Sequence, residues 1–220
     1  MGVWEVKKLL VATRIMQATM LAAGIGGLVT GIYGWVPASF ISFFVTMIPA
    51  ILRRNLNLVL PSGLTFWIAL TMFLHAVGGS ADFYATVPGW DHLTHMMSGS
   101  MIGVLGFVIV VILDRYIESI YLPRPFLAFF VVMLVMAFGV LWEIMEFTND
   151  SLLHTHLQYG LGDTMWDLFF DGIAGFLAAI VGLRYLADPA SRDFVESMHI
   201  DDARKKVEEL VQKRKKPKEA

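Results

Sequence analysis

Long apolar blocks separated by short polar stretches dominate the chain. Six of them run over about residues 16–36, 37–52, 58–78, 92–113, 125–147 and 164–187. A bilayer crossing takes about 20 apolar residues at about 1.5 Å each, so each block predicts a transmembrane helix. The second block, bounded by Pro37 and Arg53, is short for a full crossing. The expected fold is all-α: a polytopic transmembrane helical bundle of about six spans.

The bases set the expected orientation. Lys7, Lys8 and Arg14 precede the first block, Arg53 and Arg54 separate the second from the third, and Arg115 and Arg124 separate the fourth from the fifth. The other ten of the 17 Lys and Arg lie from Arg184 to Lys218. Six spans put all of them on one side, which the positive-inside rule makes cytoplasmic, with both termini there. A five- or seven-span count would break that segregation. The first apolar run, at about 20 residues, is longer than a signal-peptide core.

Composition narrows the picture. The chain is 56% hydrophobic and 16% charged, so it is expected in the cell membrane as a multi-pass protein. It has no cysteine, which excludes disulfides, thiolate metal sites and a Cys nucleophile. No nucleic-acid partner is expected; membrane lipids are. The expected organisation is a transmembrane domain over residues 1–188 and a basic amphipathic cytoplasmic tail over 189–220, with Asp188-Pro189 stopping the last span. In the tail, Asp201 is placed to N-cap a helix carrying Ala203, Val207, Leu210 and Val211 on one face, before the run Lys213-Arg214-Lys215-Lys216-Pro217-Lys218. The tail reads either as a solvated segment or as a juxtamembrane helix held by anionic lipid.

Small residues predict close helix contacts at Gly27 and Gly31, at Gly99 and Gly103, and at Gly172, Gly175 and Ala178.

Acids and histidines run against the bases. Asp82, Asp91, Glu143, Glu146, Asp150, Asp163, Asp167 and Asp171 fall in outer loops or outer span ends, with His75, His92, His95, His154 and His156. Alternating span direction brings His75, His95, the two glutamates and the aspartates to one depth in the outer half of the membrane. Asp91 and His95 are i, i+4; Glu143 and Glu146 are i, i+3; Asp163, Asp167 and Asp171 follow at steps of four. Each set therefore shares a helix face. Carboxylates facing lipid are costly, so these residues are expected to face inward, where protons, metal ions or a wet vestibule must relieve their repulsion. Asp91 and Asp163 also read as helix N-caps, His92 as interfacial, His154 and His156 as solvated loop residues, and Trp90, Tyr84 and Trp142 as belt residues. Asn149-Asp150-Ser151 has the form of a glycosylation sequon.

The stretches His75-Ala-Val-Gly-Gly, Asp91-His-Leu-Thr-His95, Trp142-Glu-Ile-Met-Glu146 and Asp163-Thr-Met-Trp-Asp167 with Asp171-Gly resemble the YjdF-like integral membrane proteins. The order of an Asp-x-x-x-His helix, a glutamate helix and an aspartate-rich helix is also similar to VanZ-like proteins, which are associated with glycopeptide resistance. The resemblance covers about residues 70–180, implies a membrane-embedded protein and carries no catalytic assignment.

Three functions fit. One is a metal-dependent hydrolase or transferase at the outer leaflet, acting on a lipid or lipid-linked envelope substrate. Its metal, Mg²⁺, Mn²⁺, Zn²⁺ or Fe²⁺, would be held among His75, Asp91, His95, Glu143, Glu146, Asp167 and Asp171, with His95 or Asp163 as base. Another is a structural or partner-binding membrane subunit. The third is a proton or divalent-cation transporter, against which stand the nearly pure apolar cytoplasmic halves of the spans.

Overall fold

The computed structural model describes residues 3–116, 123–187 and 196–215, and among these the regular elements are all helices, with no strand. The helices are α1 (Val3–Thr30), α2 (Val36–Leu56), α3 (Ser62–Ser80), α4 (Phe83–Thr86), α5 (Trp90–Tyr116), α6 (Arg124–Leu153), α7 (Leu161–Ala187) and α8 (Ile200–Lys215). Six of them, all but α4 and α8, are long and apolar enough to cross a membrane. The short second block becomes a helix of 21 residues, which is long enough for the ~30 Å hydrocarbon core. It gains a turn because Pro37 sits in its first turn, where a missing N–H costs nothing, and because the left-handed Asn57 ends it only after both arginines. The stop at Asp188-Pro189, the expected boundary after residue 188 and the basic end from Lys216 lie outside the described residues.

The chain divides into two compact units, residues 1–81 with 190–220 and residues 82–189. In the first, α1, α2 and α3 pack pairwise. Met16, Met20, Ala69 and Ala76 form the buried centre, with Phe43, Phe66 and Phe73 against it. One polar tie crosses it: the buried Gln17 amide donates to the Thr46 carbonyl at 3.1 Å and reaches the Thr46 hydroxyl at 3.2 Å. Trp35 lies directly on Gly79, where any side chain would collide with its ring.

The second unit holds α5, α6 and α7. Its core gathers Phe107, Val110, Leu127, Val131, Ala178 and Ala179. The small residues do what lipid demands, since close backbone approach replaces the hydrophobic effect between helices there. A methyl added at Gly103 would lie 2.5 Å from Ala178 Cβ, and one at Gly175 3.3 Å from Val132 Cα. Gly27 similarly meets Val36. Gly31 differs from the expectation: nothing lies near it, and its φ of +78° makes it the turn after α1 instead of a packing residue. The outward faces stay apolar, as at Phe44, Phe129 and Phe176. A helix set buried against lipid has no need of a polar exterior.

α8 starts two residues earlier than expected. His199, at φ +55°, precedes it and accepts the Ala203 N–H at 3.1 Å, so Asp201 falls inside the first turn and is not the N-cap.

Candidate metal centre

Three helices of the second unit place the chemistry. α5 brings Asp91, His92 and His95, α6 brings Glu143 and Glu146, and α7 brings Asp167 and Asp171. His95, Glu143, Glu146, Asp167 and Asp171 are all buried. These five residues were expected to face inward from their spacing, and they do.

His95 is the hub. Its Nδ1 lies 3.2 Å from Asp171 Oδ2. Its Nε2 lies 3.8 Å from Asp91 Oδ1 and 3.8 Å from Glu143 Oε1. When Nδ1 carries the hydrogen donated to Asp171, the Nε2 lone pair faces two carboxylate oxygens across a gap too wide for a hydrogen bond. Asp91, His95 and Asp167 each offer one ligand atom, and these atoms lie within 4.8 Å of one another. Both oxygens of Glu143 are buried with no hydrogen bond of standard geometry, and the Thr164 and Gln158 side chains are the polar groups close to them. Such a group costs free energy unless something satisfies it.

Glycines make room for Asp171. A side chain at Gly139 would collide with its carboxylate, and one at Gly99 would sit 3.0 Å from its Oδ1. The α7 carboxylate thus enters the seam between α5 and α6 because both neighbours lack a Cβ.

Periodicity missed His92. Assigned to the interface, it instead sets its Nδ1 3.0 Å from Asp167 Oδ1 while its ring stacks on Phe170 at 4.9 Å. Its step of three from His95 was the available signal, since residues three apart share a helix face. Trp142, 40% exposed, donates its indole N–H to Glu146 Oε1 at 2.9 Å. The Tyr84 hydroxyl lies 3.4 Å from the Thr94 hydroxyl, which itself donates to the Asp91 carbonyl. Burial, reinforced by the nearby carboxylates of Asp91, Glu146 and Asp167, pushes the Tyr84 phenol above its ordinary range.

Asp91 and Asp163 sit inside first turns and not at N-caps, because α5 and α7 begin earlier, at Trp90 and Leu161. Asp163 accepts the Tyr159 N–H at 3.2 Å, at the α7 entrance. Asp150 accepts from Thr155, Leu157 and Gln158 and so shapes the α6–α7 loop. His154, left-handed at φ +53°, ends α6. His75 lies on α3, in the first unit, so the cluster described is that of the second unit alone.

Residues 11–188 match the family described as "Predicted membrane protein (DUF2238)". The chain belongs to that family. The DUF2238 match takes in all of α5, α6 and α7, hence the whole cluster, and leaves α8 outside. A Thermotoga maritima protein described as "Uncharacterized protein" is 30% identical over 138 residues, covering 62% of this chain and 70% of that one. No solved structure matches significantly. The likeness to YjdF-like proteins fits the DUF2238 family loosely, and these matches lend no support to the VanZ-like motif order.

Proposed function

We propose that this DUF2238 protein holds a divalent metal ion between α5, α6 and α7 and works as a metal-dependent hydrolase or transferase on a lipid or lipid-linked substrate. The observation that carries the reading is His95 Nε2 facing Asp91 and Glu143 at 3.8 Å each, with ligand atoms of Asp91, His95 and Asp167 within 4.8 Å of one another. Atoms bound to one ion at about 2.0–2.2 Å lie roughly 3–4 Å apart, so that spacing suits shared ligation. Asp91, His95, Glu143 and Asp167 are the proposed ligands. Asp171 and His92 act behind them, each hydrogen-bonded to a ligand, as metal sites use outer partners to fix a ring or a carboxylate.

The donor set is three carboxylates and one imidazole, which suits Mn²⁺, Fe²⁺ or Zn²⁺ and admits Mg²⁺. A bound ion there would supply Lewis acidity toward a phosphoryl or acyl oxygen, or a water of lowered pKa. With both His95 nitrogens engaged, Asp163 at the α7 entrance is the base we assign. The substrate class follows from depth: the cluster lies within apolar spans, near their ends, where a lipid headgroup and its linkage reside. The segregated bases put that end on the extracytoplasmic side.

The test is the metal content of purified protein beside Glu143→Gln and Asp82→Asn. Wild type and Asp82→Asn should carry stoichiometric metal, and Glu143→Gln should lose it, since an amide oxygen supplies no charge. A strong chelator should lower thermal stability, because an ion held at about 100 times its Kd contributes about 2.7 kcal/mol. Metal-free wild type of unchanged stability would sink the reading and leave a structural or partner-binding subunit.

A further inference from the structure

Outside the cluster, α8 carries an arrangement of charges with its own meaning, independent of the metal reading. At about 100° per residue, Ile200, Ala203, Val207, Leu210 and Val211 share an arc of about 100°. Asp201, Asp202, Glu208 and Glu209 occupy the opposite side, with Lys205 among them. Arg204 and Lys206 fall on the two edges of the apolar arc. Both basic side chains are more than 40% exposed, and each reaches back to an acid, Arg204 to Glu208 at 3.0 Å and Lys206 to Glu209 at 3.6 Å.

One end of the helix is held by the protein. Met198 and Ala203 are buried, and the Val59 N–H donates to the Met198 carbonyl at 3.0 Å. α8 packs against α2, whose last turn carries Arg53 and Arg54. Beyond Ala203 the same apolar arc runs past its protein support. Val207, Leu210 and Val211 are 43%, 43% and 45% exposed. Five of the six residues from Lys213 to Lys218 are Lys or Arg.

We infer that α8 is an interfacial helix that lays Val207, Leu210 and Val211 into an anionic lipid surface beside the basic end of α2. Acids on the far side with bases along the apolar edges is the pattern that fits a headgroup layer: the long stems of Arg and Lys follow the apolar surface while their charged ends meet phosphate. A helix meant for water alone has no use for the exposed arc, and a protein partner would not require bases on both edges of it. Anionic lipid on the cytoplasmic leaflet attracts such basic segments.

The absence of cysteine permits a clean measurement on the full chain. Leu210→Cys and, separately, Glu209→Cys would be labelled with an environment-sensitive fluorophore and reconstituted in nanodiscs of phosphatidylcholine, with or without phosphatidylglycerol. The Leu210 probe should shift to the blue when phosphatidylglycerol is present, and the Glu209 probe should stay as in water. Adding Arg204→Glu with Lys206→Glu, or raising salt, should reverse the shift. An unshifted Leu210 probe in the anionic discs overturns the inference. So does a shift of equal size at Glu209, in phosphatidylcholine alone or in the double charge variant.

Discussion

Asp171 meets His95 at Nδ1, 3.2 Å away, and so turns the opposite ring nitrogen toward Asp91 and Glu143. Both residues are buried. On the proposed metal reading, the pair decides which nitrogen would be offered to an ion, and Asp171 is assigned as the group that orients a ligand and not as a ligand.

Asp171→Asn separates those two roles. An orienting carboxylate can be lost at a cost of about 10–100-fold in metal affinity, with full stoichiometry restored at high metal. Loss of a true ligand, as in Glu143→Gln, should leave no stoichiometric site at any usable concentration. Metal titration by calorimetry on both variants distinguishes them, and equal behaviour would return Asp171 to the ligand set.

Gly139→Ala should damage the same pair from the other side. The added methyl collides with the Asp171 carboxylate, which has no slack because Gly99 lies against its other oxygen. Overpacking of this kind costs about 1–3 kcal/mol. The variant should melt lower and bind metal more weakly. Gly162→Ala, where nothing lies within 4 Å, should melt close to wild type apart from its helix-propensity gain.

The orientation rests on the bases and is open to direct test. Reporter fusions after Gly79 and Ser151 should report the outside, and those after Arg54 and Arg115 the inside. An inside signal at Ser151 would move the cluster to the cytoplasmic side and remove the extracytoplasmic substrate.

Hydropathy by itself determined the six spans, because a chain in lipid must satisfy its backbone within each span and so declares each span as one apolar block. It also picked out His95, Glu143, Glu146, Asp167 and Asp171, since a carboxylate within a span has nowhere favourable to point but inward. Partners were another matter. Periodicity fixes a residue's angle on its own helix and says nothing of how that helix is rotated against its neighbours. The contacts at Gly99, Gly103 and Gly139 set that rotation and the closeness of approach. They alone decided that Asp171 takes His95, that Asp167 takes His92, and that Glu143 is left facing the gap. The ends of α2 and α6 fall a few residues beyond the apolar blocks for a related reason: hydropathy marks where a span is apolar, whereas the backbone continues until a left-handed residue such as Asn57 or His154 stops it.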